Sequence, residues 1–547
     1  SNNSTSGNNV QAYVDRVTPD GFTPLSDDHF ANETSPATFD YSYNFAEDPN
    51  TSSSIQNAAI VQAFYVTNYI HDWLYDAGFN EAAGNGQQNN YGRGGTAGDP
   101  MLVEVQDFED RNNANMSTPG DGGSPKMQIF LWDGLTQHQV EIIDPITLAG
   151  TLVTGAAAFG PGDFDITAQL VLVDDGVTDP NEVDSTLHDA CETPFVNAAD
   201  LNGKIAVIDR GVCFFVEKIS RAEAEGALAV IIINQKPDGV LTMGAGDNPP
   251  VINIPSLMIS KTDGDPIRTA LLNTEVINAR LLRTTDVDRD AGLENSLVIH
   301  EWGHFLNNRL LSISGTQSQG LDEGWSDFLS LLALTREEDV ANIDGAFAVS
   351  VYATNRKNAP YFGIRRAPYS TNMNINGFTF KHIADGEALP TTMPVAFGSD
   401  GADNSEVHAT GEIWASMLWE GYVGLIKDSR HSFTQAQTLM KEYLVASLKA
   451  TPANPNFVEA RDALLSVIAA RDSIDSQTFL NGFAKRGLGI GAIAPDKTSE
   501  TNAGPTESFD NNNPAPPPPP PTTGGGTGGG AISWLLLLLL GYRFKKA

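Results

Sequence analysis

The sequence predicts an α+β fold with a helical C-terminal lobe, interrupted by an α/β insertion. Apolar residues recur with helical spacing over residues 55–75 and again over residues 297–306. Alternating apolar residues between them predict strands at 101–106 and 126–132. Residues 143–285 change to short runs of Val, Ile and Leu with one helix among them, which is an α/β pattern.

The chain is strongly acidic, with 33 basic and 68 acidic side chains among 547 residues and a net charge of −35. Such a field repels nucleic acid and anionic membrane surfaces, so we expect neither as a lasting partner. The sequence begins at Ser1, without an initiating Met or an apolar signal segment. We therefore expect an exported protein that is made as a longer precursor, from which a signal peptide and a pro-segment have been removed. We also expect the protein to be a monomer.

The main domain is predicted in two parts on either side of the insertion. Residues 1–53 are rich in Ser, Asn, Thr and Asp and predict an irregular arm lying on the domain. Residues 54–142 form the first part, with a long helix followed by strands. Residues 286–497 form the second part, which ends in amphipathic helices at 433–448 and 457–470.

A His-Glu-x-x-His motif lies in the helical segment around residue 300. His300 and His304 are one turn apart on one helix face, so both rings can bind a single ion. Zinc accepts imidazole and carboxylate ligands, and a catalytic site holds it with three protein ligands and leaves a fourth position for water. Glu301 is rotated off this face and is placed to take a proton from that water.

The third ligand is predicted on the next helical segment, where Glu323 and Asp327 are again one turn apart. Glu323 would bind the metal, and Asp327 would accept the outer N–H of a histidine ligand. The chain has only nine histidines, so a chance motif followed by a second such helix is rare. The sequence therefore predicts one catalytic Zn²⁺; Ca²⁺ is compatible with it, but no residue pattern identifies a calcium site.

Four separated motifs agree in order with one known family. They are the runs 79–85 and 112–119, the zinc helix, and the segment 323–327. Together they resemble the fungalysin family of secreted zinc metalloendopeptidases, which is similar in architecture to thermolysin. The resemblance implies a two-lobed, thermolysin-like metalloprotease domain that hydrolyses internal peptide bonds of extracellular proteins through a zinc-activated water.

The resemblance also implies substrate contacts. Residues 361–371 resemble another fungalysin signature, in which the guanidinium of Arg365 or Arg366 would bind a peptide carbonyl. The alternative for either arginine is a solvated surface position. The segment with Asn113 and Ala114 lies beside a predicted edge strand, which would hold an extended peptide by main-chain hydrogen bonds.

Residues 403–408 resemble the thermolysin-like Asp-Asn-x-x-Val-His run. In that run the histidine donates a hydrogen bond to the developing oxyanion and the aspartate orients it, which implies these roles for His408 and Asp403. Thermolysin-like sites often add a tyrosine from the loop after the zinc helix. No tyrosine stands between Ser312 and Gly320, so any such donor comes from elsewhere.

The insertion, residues 143–285, resembles a protease-associated (PA) domain in its runs 203–215 and 218–227. Composition alone leaves open whether Cys191 and Cys213 form a disulfide or stay as buried thiols, and the resemblance implies that they pair. It also implies a lid or docking module that affects substrate access. A surface ornament is the alternative, because long insertions in loops cost little free energy.

The C-terminal residues have a different composition. Residues 498–530 are rich in Asn, Pro, Thr and Gly and predict a spacer. Residues 531–547 join a short apolar run to a basic end, and the run is shorter than the roughly 20 residues of a stable membrane span. They resemble the GlyGly-CTERM sorting tail of Gram-negative bacteria. This implies transient membrane contact and secretion or cell-surface display in such a bacterium, with a permanent weak anchor as the alternative.

One competing hypothesis is a non-catalytic envelope or adhesion protein with a structural metal site, which would need four protein ligands. An exopeptidase would need a group that captures a free terminus, and none is evident. We therefore expect proteins or peptides as substrates.

Overall fold

The computed structural model describes residues 3–237, 239–246 and 249–512. The first lobe is a five-stranded sheet in the order β2-β1-β3-β5-β4, with β1, β3 and β5 parallel and the two outer strands antiparallel. Its strands are β1 (Val10–Val14), β2 (His29–Phe30), β3 (Met101–Val105), β4 (Ala114–Ser117) and β5 (Lys126–Ile129). Helix α1 (Ser53–Tyr75) packs on this sheet, and the side chain of the preceding Ser52 caps its N-terminus by accepting the Ile55 N–H.

The N-terminal segment differs from the prediction. Residues 1–53 were expected to be irregular, but β1 lies inside the sheet between β2 and β3. Val10, Ala12 and Val14 are buried on its inner face. The sequence did not predict β1 because a five-residue strand has only a weak local pattern and its partner, Met101–Val105, lies far away in the chain.

The insertion is an eight-stranded sheet in the order β8-β7-β14-β10-β11-β12-β13-β9, whose consecutive neighbours β10 to β13 are parallel. After the short β6 (Leu131–Trp132), its elements are β7 (Thr136–Asp144), β8 (Gly150–Leu152), β9 (Thr154–Ala156), β10 (Phe164–Leu172), α2 (Ala198–Leu201), β11 (Ile205–Asp209), α3 (Phe215–Ala224), β12 (Ala229–Ile233), β13 (Ser256–Ile259), α4 (Lys261–Leu272) and β14 (Asn278–Thr285). The predicted boundary at 143 falls inside β7, which pairs with β14 from Thr136 onward. Cys191 and Cys213 form a disulfide.

The insertion leaves and re-enters the main domain at adjacent points. Trp132 at the end of β6 pairs with Arg289 at the start of β15 (Arg289–Asp290), and Leu131 pairs with Asp290. Because the two connections are hydrogen-bonded neighbours, the main domain is continuous across the insertion.

The second lobe is helical. Its helices are α5 (Asn295–Leu310), α6 (Thr316–Leu334), α7 (Ala359–Phe362), α8 (Val407–Lys427), α9 (Phe433–Ala450), α10 (Phe457–Arg471) and α11 (Ser473–Lys485). Helices α9 and α10 match the two amphipathic helices predicted from the sequence. Helix α6 packs between α5 and α8, and glycines set both contacts: a Cβ on Gly303 would meet Ser326 Cα at 2.7 Å, and one on Gly411 would meet Glu323 Cβ at 2.6 Å.

The C-terminal segment is packed further than the composition predicts. Ser508 and Thr506 form β-bridges with Leu488 and Ile493, and Asn502 is buried. Main-chain hydrogen bonds thus order a segment that has few apolar residues, and residues 498–512 are not a free spacer. The rest of the predicted spacer and the sorting tail 531–547 lie outside the described residues. Within the described ranges, no helix is both long and apolar enough to cross a membrane.

Candidate metal centre

Helices α5 and α6 bring the three predicted ligands together. His300 Nε2 lies 3.1 Å from His304 Nε2, and Glu323 Oε2 lies 3.3 Å from His300 Nε2. Glu323 Oε1 lies 3.7 Å from His304 Nε2. The two imidazole nitrogens and the Glu323 carboxylate therefore form a small triangle between the two helices.

Each histidine has a carboxylate on its other ring nitrogen. Asp327 Oδ1 lies 2.8 Å from His300 Nδ1, as predicted. Asp322 Oδ2 lies 3.0 Å from His304 Nδ1, a contact that the sequence did not reveal. A carboxylate at Nδ1 fixes the tautomer in which Nε2 carries the free lone pair, so both rings present Nε2 to the same point.

The electrostatics of the triangle favour a cation. Burial opposes charge on both rings, yet the contacts with Asp327 and Glu323 raise the pKa of His300 to about 9. In the same way, Asp322 and Glu323 raise the pKa of His304 to about 10 despite burial. Burial also opposes charge on Glu323. The nearby histidines, His304 above all, nevertheless hold the pKa of this carboxyl well below its usual range. The surrounding carboxylates therefore stabilise positive charge at this point.

The residues present fit a zinc ion. Glu323 Oε2 is buried and accepts no hydrogen bond from the residues described, so it has an unused lone pair. Zinc bonds of about 2.0–2.2 Å in a tetrahedron place ligand atoms about 3.3–3.6 Å apart. The two Nε2 atoms lie 3.1 Å apart, His300 Nε2 lies 3.3 Å from Glu323 Oε2, and His304 Nε2 lies 3.7 Å from Glu323 Oε1, so all these separations are close to those around one zinc ion. Two imidazoles and one carboxylate are also a donor set that zinc prefers.

Glu301 lies beside this triangle at a cavity of about 290 Å³. Glu301 is only 5% exposed, and this burial raises the pKa of its carboxyl. A carboxylate with a raised pKa binds a proton more readily, which suits a group that accepts and returns one.

His408 lines the same cavity from the first turn of α8, with its Nε2 3.5 Å from Glu323 Oε2. Its orienting partner differs from the prediction. Glu406 Oε1 lies 2.6 Å from His408 Nδ1, whereas Asp403 is exposed and meets this segment only through its carbonyl, which accepts the Glu406 N–H. The reason is that Glu406 is the N-cap of α8 and also accepts the Ala409 N–H, which holds its carboxylate next to the ring.

The two predicted arginines have different roles. Arg365 lines the cavity and donates from Nε and Nη2 to the two oxygens of Asp327 at 2.7 and 2.8 Å. Arg366 points elsewhere: it is buried against Glu412, Asn404 and the Ala409 carbonyl. The prediction of a substrate contact is therefore wrong for Arg366, whose donors are used inside the lobe.

The remaining predicted contacts lie at the cavity wall. Asn113 and Ala114 both line it, and Ala114 begins β4, the outer strand of the first-lobe sheet. A free strand edge therefore runs into the cavity. No tyrosine is among the cavity-lining residues in the described part of the chain; the Tyr369 hydroxyl donates to Asp327 instead.

Sequence reasoning missed Asp322 and Glu406. Both stand within two residues of a predicted site residue, Glu323 or His408, and this proximity was the available signal. It was ambiguous because Asp327 and Asp403 offered equally plausible carboxylates. Only the packing of α6 and the start of α8 decides which carboxylate faces which ring.

Two helices that present two histidines and a glutamate beside a buried glutamate form a site of the kind found in zinc metallopeptidases. The family model of the fungalysin metallopeptidases (M36) matches residues 1–492 of this chain. The chain therefore belongs to the fungalysin family, which confirms the resemblance found in the sequence.

Curated relatives match most of the chain at low identity. The extracellular metalloproteinase MEP of Fusarium vanettenii is 25% identical over 525 residues, covering 92% of this chain and 53% of that protein. The extracellular metalloproteinase mep of Aspergillus fumigatus is 24% identical over 498 residues, covering 88% and 50%. The chain spans about half the length of the curated relatives it matches.

Among solved structures, a zinc aminopeptidase from Bacillus subtilis is 18% identical, with coverage of 44% of this chain and 40% of that one. Its TM-score of 0.21 is too low to support any argument about fold or activity.

The predicted location in a Gram-negative bacterium is wrong on these comparisons. The relatives named above are extracellular metalloproteinases of fungi. They give no support to display on a Gram-negative cell surface.

Proposed function

We propose that this protein is a secreted zinc metalloendopeptidase that hydrolyses internal peptide bonds of proteins and peptides. The observation that carries the proposal is the triangle of His300, His304 and Glu323 next to Glu301. Zinc held there would polarise the scissile carbonyl and lower the pKa of a water molecule. The three ligands come from two rigid helices, so their spacing is set before substrate binds.

Glu301 moves the proton. Its buried carboxylate, at the wall of the cavity, accepts a proton from the attacking water and delivers it to the nitrogen of the leaving amine. The raised pKa of this carboxyl favours the first transfer, and the same group then serves as the acid for the second.

His408 stabilises the developing negative charge. Glu406 Oε1 lies 2.6 Å from Nδ1 and holds the ring so that Nε2 faces the cavity, where it donates a hydrogen bond to the carbonyl oxygen of the substrate. Arg365 is a positioning residue: its two hydrogen bonds to Asp327 hold the carboxylate that orients His300.

The peptide is held in an extended conformation along β4. This strand pairs with β5 on one side only, so its other edge is free to pair with a substrate backbone near Asn113 and Ala114. Pairing along a strand edge does not require a chain end, which favours cleavage within a peptide over removal of terminal residues.

The test compares Glu301→Gln with the wild-type protein. We expect the variant to keep one zinc per chain by elemental analysis and to lose casein hydrolysis by at least about 10²-fold. Wild-type activity should disappear with a zinc chelator and return when zinc is restored. A variant that keeps its activity would remove Glu301 from the mechanism, and a zinc-loaded wild-type protein without activity would favour a structural metal site.

For the insertion we propose a protease-associated domain that affects substrate access. Its parallel strands β10 to β13, the helix α3 and the disulfide support this. The test removes residues 136–285 and joins the chain across the β6–β15 ladder. We expect the zinc content to be kept and the cleavage profile on a peptide library to broaden. An unchanged profile would make the insertion an ornament.

A further inference from the structure

A second group of carboxylates lies in the first lobe, at the ends of β1 and β3. Asp15, Asp20, Glu104 and Asp107, here called the acidic cluster, each place one oxygen within 4.8 Å of the others. None of the four lines the cavity of the candidate metal centre. The proposed peptidase mechanism therefore makes no use of them.

The sheet itself builds the cluster. Strands β1 and β3 are parallel neighbours, with Tyr13 opposite Glu104, so Asp15 leaves the sheet beside the end of β3. The following loop folds back because Asp15 Oδ2 accepts the Gly21 N–H at 2.7 Å. This places the exposed Asp20 over the buried carboxylates.

Two oxygens of the cluster are buried without a hydrogen bond. Asp15 and Glu104 are both 0% exposed, yet Asp15 Oδ1 and Glu104 Oε2 accept no hydrogen bond from the residues described. Leaving a charged group unsatisfied in the interior costs several kcal/mol on the usual scale. A missing positive partner at this point would account for both orphaned oxygens.

The other oxygens of these buried carboxylates have partners that hold them in place. The Tyr13 hydroxyl donates to Glu104 Oε1 at 2.8 Å, and the Gln128 amide donates to Asp107 Oδ2 at 2.9 Å. The orphaned oxygens of Asp15 and Glu104 are thus fixed in position by hydrogen bonds made on the other side of each carboxylate.

One lysine does not balance the charge. Lys126 Nζ donates to Asp20 at 2.5 Å and lies 3.7 Å from Glu104 Oε2. With all four carboxylates ionised, one ammonium leaves a net charge of −3 (1 − 4), and Asp15 Oδ1 has no hydrogen-bond partner among the described residues. Burial raises the pKa of Glu104 to about 8 and that of Asp15 to about 6, so a proton competes for the place of a further cation.

We infer that the acidic cluster binds one calcium ion, which fastens the N-terminal strand to the sheet. Carboxylate oxygens are hard ligands that suit Ca²⁺ or Mg²⁺ rather than zinc. All four oxygens lie within 4.8 Å of one another, which is close enough for one cation to reach them all. Ca²⁺ accepts such a cage of protein oxygens in a flexible geometry, whereas Mg²⁺ demands a near-ideal octahedron and usually keeps several waters.

The experiment titrates CaCl₂ into zinc-loaded Glu301→Gln protein, which is used to prevent self-cleavage, after passage over a chelating resin and a check of zinc content. We expect one calcium per chain by calorimetry and a melting temperature several degrees higher in 1 mM CaCl₂. The double variant Asp15→Asn, Glu104→Gln should bind calcium at least tenfold more weakly and lose the shift.

The matched control is Asp27→Asn, which removes an exposed acidic side chain from the same segment and should bind calcium as the parent does. If the double variant fails to fold by circular dichroism, Asp20→Asn at the surface of the cluster replaces it and should weaken binding. Equal calcium binding by the parent and the cluster variants, no binding by the parent, or tighter binding of MgCl₂ than of CaCl₂ would each overturn the assignment.

Discussion

Asp322 Oδ2 lies 3.0 Å from His304 Nδ1, on the opposite side of the ring from the predicted zinc ligand atom. Asp327 has the same relation to His300 at 2.8 Å. Each histidine of the motif therefore has its own carboxylate from α6, and the same helix supplies Glu323 between them. One helix thus provides a metal ligand and orients the two others.

The first prediction concerns Asp322. Replacing it with Asn removes the negative charge at His304 Nδ1, so we expect zinc affinity to fall by about 10–100-fold. The measurement is competition for zinc with a chelating dye. Glu338→Gln, an exposed change shortly after the same helix, is the control and should bind zinc normally. Unchanged affinity in Asp322→Asn would mean that the contact does not tune the ligand.

The second prediction separates Glu406 from Asp403. We expect kcat/KM to fall by about 10²–10³-fold in His408→Ala, because a donor to the developing oxyanion is lost. Glu406→Gln should show a smaller loss, since the 2.6 Å contact with His408 Nδ1 becomes uncharged. Asp403→Asn should be as active as the parent because the carboxylate next to His408 Nδ1 belongs to Glu406. Steady-state kinetics on one peptide substrate measures kcat/KM for all three variants. A larger loss of kcat/KM in Asp403→Asn than in Glu406→Gln would restore Asp403 as the residue that orients His408.

The third prediction concerns the contact between α5 and α6. A Cβ on Gly303 would lie 2.7 Å from the Ser326 Cα, so Gly303→Ala must push the helices apart. We expect a loss of about 1–3 kcal/mol of stability and weaker zinc binding, because Glu323 moves away from both histidines. Gly120→Ala, where a Cβ meets nothing within 4 Å, is the control. Thermal melting measures the stability and zinc titration measures the affinity. A Gly303→Ala variant with the melting temperature and zinc affinity of the parent would contradict the close packing of α5 on α6.

The fourth prediction concerns pH. Burial raises the pKa of Asp290 to about 6, although hydrogen bonds from Gln106 and the Gly292 N–H and the charge of Arg16 oppose the rise. The folded protein holds this proton more tightly than the unfolded chain does. The stability from it is therefore complete below about pH 3.8 and is lost as pH rises to about 6, in total by about 3 kcal/mol.

Asp290→Asn removes this titration. The melting temperature of the parent relative to Asp290→Asn should fall by several degrees between pH 4 and pH 6.5 and stay constant above that range. The metal ligands titrate in both proteins, so their contribution cancels in the difference. A difference that does not change with pH would show that Asp290 keeps its usual pKa.

The sequence by itself determined the parts that depend on local periodicity. His300, Glu301 and His304 occupy fixed positions on one helix, and Glu323 and Asp327 are one turn apart on another, so their shared faces follow from a period of 3.6 residues. The strands of the insertion and the two C-terminal helices follow from apolar spacing in the same way.

Only the tertiary structure decided relations between distant segments. It selected Glu406 over Asp403 as the partner of His408, placed β1 inside the sheet, and brought Asp15 next to Glu104, which is far from it in the chain. The physical reason is that a side chain's partner depends on which backbones pack together. That packing is fixed by burial and close glycine contacts across the whole chain, and no single stretch of sequence contains it.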